Sequence, residues 1–340
     1  MVRFGLLLLL LLGACSTAPV FVVPTPPPSP VNKDITLAFG GDVHFSERTL
    51  PLLDNPETAF GRIAPVLARA DLSFINLETA VTDRGTPEPK QFLFRAPATA
   101  YAAVKAAGID AVSIANNHAL DYGLVGLADT LEHAKAAGVP ALGGGAAPDA
   151  YRPWIRDVAG TRIAVVALSH VNELWQRWEA TDTRPGLAML RNPMRALAAV
   201  KAARAQADVV VVMLHWGPEY QECPNAELKR LAGELIEAGA DLLVGGHQHL
   251  LLGAGWLGRA YVAYGMGNFL WWRNDAMSND TGVLWVTIRD KKLASAGLIP
   301  AYIDRETGQP YPVNGEVAAR IQEDQKRLRA CAELAEHPGN

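Results

Sequence analysis

Short apolar runs alternate with longer alanine- and leucine-rich segments along most of the chain, from Asp34 onward. The apolar runs are roughly four to six residues long, which suits buried strands, and the longer segments have the period of helices. Strands and helices that alternate in this way favour a mostly parallel sheet covered by helices. The hydrophobic pattern therefore predicts an α/β fold.

Glycines mark the ends of several predicted helices. The helices are expected at 97–107, 124–137, 193–207, 226–238 and 316–334, and three of them stop at Gly108, Gly138 and Gly239. After Gly258, predicted strands at 260–264, 283–288 and 293–303 follow one another without helices between them. This change of pattern indicates a more antiparallel region near the end of the chain.

Five of the predicted strands end in polar motifs. The motifs are Asp42-Val43-His44, Asn76-Leu77-Glu78, Asn116-Asn117-His118, His215-Trp216-Gly217 and Gly246-His247-Gln248-His249. They contain five of the eight histidines in the chain. Because ligands of α/β folds bind at the carboxyl ends of the strands, we expect one site assembled from five strand ends.

The polar side chains in these motifs are typical metal ligands. Seven are predicted to bind metal: Asp42, His44, Glu78, Asn117, His215, His247 and His249. Nitrogen and oxygen donors without thiolate suit Mn, Fe or Zn better than Ca or Mg. Seven donors are too many for one tetrahedral ion, but they fit two divalent ions that share a carboxylate. A buried histidine can also be structural, and that alternative applies most to His44.

His118 directly follows Asn117 and precedes Asp121 by three residues. An imidazole beside two metal ions can protonate a leaving group, and a carboxylate behind it can orient it. We therefore predict that His118 is the general acid and that Asp121 is its partner. The alternative for Asp121 is a cap on a helix that begins at Tyr122.

The composition excludes some classes of function. The 340 residues have a net charge of -4 and only 19% are charged, so a nucleic-acid partner is not expected. A hydrophobic content of 49% allows a substantial core. We expect one main domain at 32–312, followed by a C-terminal helix and tail at 313–340.

The N-terminus has the features of a lipoprotein signal. Arg3 precedes a run of leucines at 6–12 that is too short to span a membrane. Leu12-Gly13-Ala14-Cys15 resembles the lipobox of bacterial lipoproteins, so 1–15 is predicted to be a signal peptide with a lipidated Cys15. Residues 16–31 are rich in proline and predict an extended linker. The alternative is an ordinary signal peptide with an incidental cysteine.

Such a signal predicts a lipid-anchored protein of the cell envelope. It would lie at the outer membrane or in the periplasm of a Gram-negative cell, or on the outer face of a Gram-positive plasma membrane. In this oxidising setting, Cys223 and Cys331 could form a disulfide, and two free thiols are the alternative.

Six motifs carry a family resemblance. They are Gly-Asp, Asn-Leu-Glu-Thr, Ala-Asn-Asn-His-Ala-Leu-Asp-Tyr-Gly, His-Trp-Gly-Pro-Glu-Tyr, Gly-His-Gln-His and Tyr-Gly-Met-Gly-Asn-Phe. Together they resemble the CapA family, the capsule-synthesis and poly-γ-glutamate-associated proteins of the calcineurin-like metallophosphatase superfamily. The resemblance covers Asp34 to Phe269. It implies a four-layer α/β/β/α sandwich with a dinuclear metal site between the loops of two sheets.

The resemblance also implies a role for each motif. Asp42 would bind the first metal, and Glu78 would bridge the two metals. Asn117 and His215 would bind the second metal, and the two histidines of Gly-His-Gln-His would serve both. His118 would match the general-acid histidine of the superfamily.

The chain departs from CapA relatives at two positions. Relatives commonly read Gly-His-His-Pro-His where 245–249 read Gly-Gly-His-Gln-His, and they often have an apolar residue in place of His44. Both departures match the general phosphoesterase signature. They favour genuine metal-dependent hydrolysis over a role in capsule alone.

Three residues are predicted to contact the substrate. Arg95, in a segment at 90–97 that also resembles the family, could bind a carboxylate or phosphate bidentately; a solvated or helix-capping arginine is the alternative. His170 follows another predicted strand, and Trp216 lies next to His215. Tryptophans at 175, 178, 271 and 272 could line a groove for a polymer chain or simply pack.

These observations predict a cell-envelope lipoprotein with a dinuclear metal hydrolase site. Its substrate would be an anionic polymer or a phosphoester, in the synthesis, processing or export of capsule or poly-γ-glutamate, with polymer synthases as potential partners. One alternative is a secreted metallophosphoesterase unrelated to capsule. Another is a non-catalytic polymer-binding or export component that depends on the tryptophans.

Overall fold

A computed structural model describes residues 1–2 and 33–339. The predicted lipobox, the lipidated Cys15 and the proline-rich linker lie outside the described residues. Residues 33–339 belong to one compact unit. Within the described part of the chain, no helix is both long enough and apolar enough to cross a membrane.

The strands and helices alternate along the described chain. The strands are β1 Ile35–Val43, β2 Leu72–Leu77, β3 Ala80–Val81, β4 Arg95–Ala96, β5 Ala111–Ser113, β6 Ala141–Leu142, β7 Gly144–Gly145, β8 Trp154–Val158, β9 Thr161–Ser169, β10 Gly186–Leu187, β11 Val209–His215, β12 Leu242–Gly246, β13 Ala254–Leu257, β14 Ala260–Ala263, β15 Asn268–Leu270, β16 Asp280–Arg289, β17 Lys292–Ile303 and β18 Pro310–Pro312. The α-helices are α1 Ala64–Leu67, α2 Thr99–Ala106, α3 Gly123–Ala137, α4 Ala147–Ala150, α5 Trp175–Trp178, α6 Pro193–Arg204, α7 Ala226–Glu237 and α8 Gly315–Cys331. Short 3-10 helices span Glu47–Asp54, Pro56–Thr58 and Gly61–Ile63.

Two large sheets form the body of the molecule. The first has the order β18-β17-β16-β1-β2-β5-β6, with β15 beside β1, and the second has the order β13-β14-β12-β11-β9-β8. The strands at the centre of each sheet are parallel, whereas β16, β17 and β18 add antiparallel pairs. The predicted parallel body and antiparallel C-terminal region are therefore both confirmed.

The sheets pack face to face with helices outside them. Leu37 and Phe39 of β1 share one apolar cluster with Val165 of β9 and Val211 of β11, so this cluster fills the space between the sheets. Ala38 belongs instead to the cluster that includes α1, α2 and α3, as the two-residue period of a strand requires. Helices α6 and α7 cover the outer face of the second sheet. The implied four-layer α/β/β/α sandwich is confirmed.

The strand register brings the polar motifs together. Asp42 pairs with Asn76 in β2 and with Asn268 in β15, and His215 pairs with Gly246 in the other sheet. A Cβ atom on Gly246 would lie 2.4 Å from Asp42 Oδ1, so only glycine allows this close approach between the sheets. The motif ends of both sheets consequently meet at one place.

Candidate metal centre

Glu78 is a buried carboxylate that lacks hydrogen bonds. The residue is fully buried, and neither of its side-chain oxygens has a hydrogen-bond partner among the described residues. Burial, followed by the charge of Glu219, raises the pKa of Glu78 well above its usual range. A charged group in this position is unfavourable unless a cation neutralises it. The environment of Glu78 therefore fits a metal-bridging carboxylate.

Two groups of potential metal ligands share Glu78. One combines it with His247 and His249, and the other combines it with Asp42 and His215; the ligand atoms of each group lie within 4.8 Å of one another. The structure thus brings together five of the seven predicted ligands. Imidazole and carboxylate donors of this kind fit Mn, Fe or Zn.

Asn117, the sixth predicted ligand, lies beside the second group. Its Oδ1 atom is 2.8 Å from Nε2 of His215, which in turn is 3.4 Å from Oε1 of Glu78. Burial lowers the pKa of His215 to about 4. The imidazole is therefore neutral near pH 7, the form in which histidine binds metal.

Asp42 is held in place by one donor from β2 and one from the loop after β12. Nδ2 of Asn76 donates to Oδ1 at 2.8 Å, and the backbone N–H of His247 donates to Oδ2 at 3.0 Å. Burial and then the neighbouring Glu78 raise the pKa of Asp42 to about 7. Sequence reasoning assigned no role to Asn76, although its motif was recognised. Its position two residues before Glu78, on the same side of the strand, was the available signal.

The two histidines of Gly-His-Gln-His have unusual backbone conformations. His247 has a φ of 92° and His249 has a φ of 59°, which is the left-handed region that non-glycine residues seldom adopt. Such strain persists where the surroundings hold it, often at functional sites. Here it aims both imidazoles at Glu78.

Asn268 sets the orientation of His249. Its Oδ1 atom lies 2.9 Å from Nδ1 of His249. Because an amide oxygen only accepts hydrogen bonds, Nδ1 carries the proton and Nε2 is left free for a metal. Burial lowers the pKa of His249 to about 3, so the ring is neutral. Asn268 belongs to a motif that contributed to the family resemblance, but sequence reasoning did not place it in the site.

His44, the seventh predicted ligand, stands outside both groups. Its ring stacks on Trp271 with centroids 4.1 Å apart, and its Nε2 atom accepts the backbone N–H of Trp272 at 3.2 Å. Its Nδ1 atom is buried, and no described residue forms a hydrogen bond with it. Nδ1 is therefore the atom left for a ligand, and its assignment to the metal stays a prediction.

His118 and Asp121 lie in direct contact. Nδ1 of His118 is 2.6 Å from Oδ2 of Asp121, which also accepts the backbone N–H of Phe94 at 2.6 Å. This orientation leaves Nε2 of His118 facing the centre, 3.9 Å from Oε1 of Glu78. The alternative role for Asp121 is wrong, because α3 has Tyr122 at its N-cap and no side-chain cap.

Burial affects both members of this pair. It raises the pKa of Asp121 to about 7, against the opposing effect of Lys90. It lowers the pKa of His118 well below its usual value, and the charge of Lys90 lowers it further. With three donors directed at it, Asp121 acts as an acceptor and keeps the proton of His118 on Nδ1.

Lys90 is a site residue that sequence reasoning missed. Its buried ammonium donates to the backbone oxygen of Asn117 and, at 2.6 Å, to Oδ1 of Asp121. It also lies 3.1 Å from Oε2 of Glu173 and 5.0 Å from the centre of the Trp178 ring. Its occurrence in the family-like segment at 90–97 was the only available signal. Lys90 joins the predicted acid pair to the metal-ligand loop.

A small cavity leads from the surface to the centre. It is lined by Phe92, Phe94, His118, Glu219, Tyr220, His249, Trp271, Trp272 and Arg273. His118 and His249 connect it to the candidate metal ligands. Two of the noted tryptophans therefore lie at the site, whereas Trp178 is buried beneath Lys90.

The three predicted substrate contacts do not line this cavity. Arg95 is exposed and lies over the ring of Tyr122 at 4.8 Å. Nε2 of His170 faces Glu227 at 3.7 Å. Trp216 is fully buried, and its indole N–H donates to the backbone oxygen of Tyr264 at 2.9 Å. As an inaccessible side chain, Trp216 serves packing in this structure rather than substrate contact.

The loop that follows His215 is tied to the C-terminal helix. Cys223 and Cys331 form a disulfide that links positions 108 residues apart. Glu222 and Arg327 add an ion pair at 2.8 Å between the same elements. The disulfide alternative for these cysteines is confirmed, and the tether holds the loop that carries Glu219 to the cavity.

The four-layer sandwich and the carboxylates and imidazoles at its strand ends define a class, the calcineurin-like metallophosphatase fold with a candidate metal centre. A solved structure described as a novel phosphatase from Mycoplasma pneumoniae has this fold. It matches with a TM-score of 0.50 and 13% identity, covering 79% of this chain and 93% of that one.

Within this class, the chain belongs to the family of the bacterial capsule synthesis protein PGA_cap, which matches residues 36–271. It is 28% identical over 326 residues to the capsule biosynthesis protein CapA of Bacillus anthracis, covering 92% of this chain and 78% of the relative. It is 25% identical over 285 residues to the PGA biosynthesis protein CapA of Bacillus subtilis strain 168, covering 82% and 74%. The resemblance to the CapA family is confirmed.

Proposed function

We propose that this chain is a metal-dependent hydrolase that acts on an anionic polymer of the cell envelope. The observation that carries the proposal is Glu78, whose two buried oxygens have no hydrogen-bond partner in the described part of the chain and are shared by two groups of imidazole and carboxylate donors. A carboxylate so placed is unfavourable in a purely structural role. It is well suited to bridging two cations.

The residues present fit two divalent metal ions. Glu78 would belong to both ligand sets, with His247 and His249 in one and with Asp42, His215 and Asn117 in the other. When bound, such ions polarise the bond to be broken, lower the pKa of water and neutralise developing negative charge. Before metal binds, Asn268 fixes the tautomer of His249, and the side chain of Asn76 and the backbone N–H of His247 hold Asp42 in place.

His118 would donate a proton to the leaving group. Its Nδ1 atom is fixed by Asp121, so Nε2 is the nitrogen that faces the centre. A proton on Nε2 would pass to the leaving oxygen or nitrogen as the bond breaks. An anionic substrate would favour the protonated imidazole, since nearby negative charge raises the pKa of histidine.

The family supports an anionic polymer as substrate. The Bacillus relatives are described as proteins of capsule and PGA biosynthesis. A γ-glutamyl amide or a phosphoester would each present an oxygen that metal ions can polarise. We further propose attachment to the membrane through a lipidated Cys15, and work beside polymer synthases at the cell envelope.

Metal analysis of the purified protein tests the centre directly. We expect about two equivalents of Mn, Fe or Zn per chain. His247→Ala should lower this content and abolish hydrolysis. His337→Ala, which changes an exposed histidine of the tail, is the matched control and should alter neither. Metal-free wild-type protein, together with undiminished hydrolysis by His247→Ala, would contradict the proposal.

A substrate panel separates the proposal from its two alternatives. It should contain γ-linked polyglutamate, nucleotides and aryl phosphate esters. Cleavage of the polymer supports the proposed function, and cleavage of the phosphate esters alone favours a phosphoesterase unrelated to capsule. If His118→Ala cleaves nothing but restores polymer production in cells that lack the gene, a non-catalytic binding or export component is favoured.

A further inference from the structure

Arg273 is an exposed arginine at the cavity that leads to the candidate metal centre. Among the described residues, its guanidinium donates one hydrogen bond, from Nη1 to the hydroxyl of Tyr220 at 3.0 Å. No carboxylate of the described chain forms an ion pair with it. The nearby carboxylate of Asp275 instead accepts from the backbone N–H and the hydroxyl of Ser278. Much of the guanidinium therefore remains available for hydrogen bonds.

Aromatic side chains support this guanidinium. Its central carbon lies 5.4 Å from the centre of the Trp272 ring and 5.9 Å from that of Phe92. Both rings line the same cavity. An arginine stacked on aromatic faces loses less freedom when it binds, and its planar edge matches a carboxylate or a phosphate.

The backbone that carries Arg273 is also fixed. Arg48 donates to the backbone oxygen of Trp271 at 3.2 Å and to that of Arg273 at 2.5 Å. A third bond reaches the backbone oxygen of Arg305. One guanidinium thus holds the turn after β15 through two carbonyl groups and ties it to the segment after β17 through a third, so the position of Arg273 is built into the fold.

Charge is distributed unevenly around the cavity. Glu219 lines the cavity and lies 4.0 Å from Nε2 of His249. Arg273 is the cationic side chain among the residues that line the cavity. An anionic group that enters would be repelled by Glu219 and attracted by Arg273.

We propose that Arg273, backed by Phe92, Trp272 and Tyr220, forms a subsite for an oxyanion of the substrate. The oxyanion is a carboxylate or phosphate group on the unit next to the bond held at the metal centre. This inference rests on the proposed function, because it deepens the substrate class of the same site. It assigns to Arg273 the anion contact that sequence reasoning gave to Arg95.

Binding measurements test the subsite without requiring turnover. The probes are a γ-linked glutamate oligomer, the same oligomer with its free carboxylates converted to uncharged amides, and a glycerol phosphate oligomer. Trp271 and Trp272 line the cavity, so quenching of tryptophan fluorescence reports binding. The first and third probes distinguish a carboxylate from a phosphate as the bound oxyanion.

Arg273→Gln should weaken binding of the charged oligomer about tenfold to a hundredfold, as expected for lost hydrogen bonds to a charged group. Binding of the uncharged oligomer should not change, and Arg273→Lys should give an intermediate loss. Arg62→Gln is the matched control. Arg62 is also exposed and stacked on an aromatic ring, 4.6 Å from Tyr311, but it does not line the cavity.

The outcomes separate this inference from the proposed function. If Arg273→Gln binds each charged oligomer as tightly as the wild type does, the subsite is overturned. This holds even if the wild type contains metal and cleaves polymer. An equal loss for charged and uncharged oligomers would overturn it too, because the effect would then not depend on the anion. A charge-selective loss in a protein that cleaves nothing would support the subsite while contradicting the hydrolase.

Discussion

Oδ2 of Asp121 lies 2.6 Å from Nδ1 of His118, and this contact decides which imidazole nitrogen faces Glu78. The two residues are three positions apart in the chain, so their meeting is local. The ammonium of Lys90 reaches the same carboxylate from 31 residues away. The proton-transfer group is thus assembled from one local and one distant contact.

Replacing Asp121 with Asn should lower kcat by about a hundredfold to ten-thousandfold, the range typical of general acid–base catalysis. An amide places N–H groups where His118, Lys90 and the Phe94 backbone already donate, so the imidazole loses its fixed tautomer. Steady-state hydrolysis with the metal-loaded enzyme measures the change. Asp182→Asn, at an exposed ion pair with Arg195, should leave kcat unchanged. Equal rates for wild type and Asp121→Asn would contradict the role.

Replacing Glu78 with Gln should stabilise the metal-free protein by about 1–3 kcal/mol at pH 8, because the buried carboxyl must otherwise either hold an uncompensated charge or take up a proton that the unfolded chain does not bind. The same change should remove most of the stabilisation that metal provides. Urea unfolding with chelator and with added metal measures both effects. Glu222→Gln, at an exposed pair with Arg327, should change stability by less than about 1 kcal/mol. If metal stabilises Glu78→Gln as much as it stabilises the wild type, Glu78 does not bridge the metal ions.

Stabilisation by metal should increase with pH between about 5 and 7. Burial raises the pKa of Asp42 to about 7 in the folded, metal-free protein. Protonated Asp42 therefore stabilises the metal-free fold at low pH, and this stabilisation is lost as the pH rises through about 7. Protons and metal compete for the same carboxylate. His215, with a pKa lowered to about 4, is already neutral in this range.

Thermal unfolding at several pH values, with and without metal, checks this pH dependence. The metal-induced rise in Tm should grow from pH 5 to pH 7 and level off near pH 8. Asp42→Asn should have a smaller rise with little pH dependence. A metal effect that is equally large at pH 5 and pH 8 in the wild type would contradict competition at Asp42.

Removing the Cys223–Cys331 disulfide should lower the free energy of unfolding by about 2–4 kcal/mol, because the bond closes a long loop of the unfolded chain. Urea unfolding of a Cys223→Ser, Cys331→Ser double variant measures this loss. Reductant should destabilise the wild type to the same degree and should leave the double variant unchanged. If reductant shifts both proteins equally, the effect does not come from this bond.

The helices and strands were easier to predict from the sequence than the residues that contact the substrate. Helices α3, α6 and α7 begin within a residue of their predicted starts, because their periodicity and stop signals are local. Four of the five strand-end motifs supplied the five ligands that the structure brings together. The substrate contacts were much harder to predict. Arg95 and Arg273 are both exposed arginines, and only the path of the chain after β15 places Arg273 at the cavity.

The sequence by itself determined the layered α/β architecture and the donor set of the centre. Hydrophobic period specifies strands and helices, and parallel strands necessarily present their carboxyl ends at one edge. Tertiary structure alone decided that Glu78 is left without a partner, that Asn268 orients His249 and that Lys90 reaches Asp121. Those features depend on contacts between segments far apart in the chain, whose register and spacing are set only when the two sheets pack.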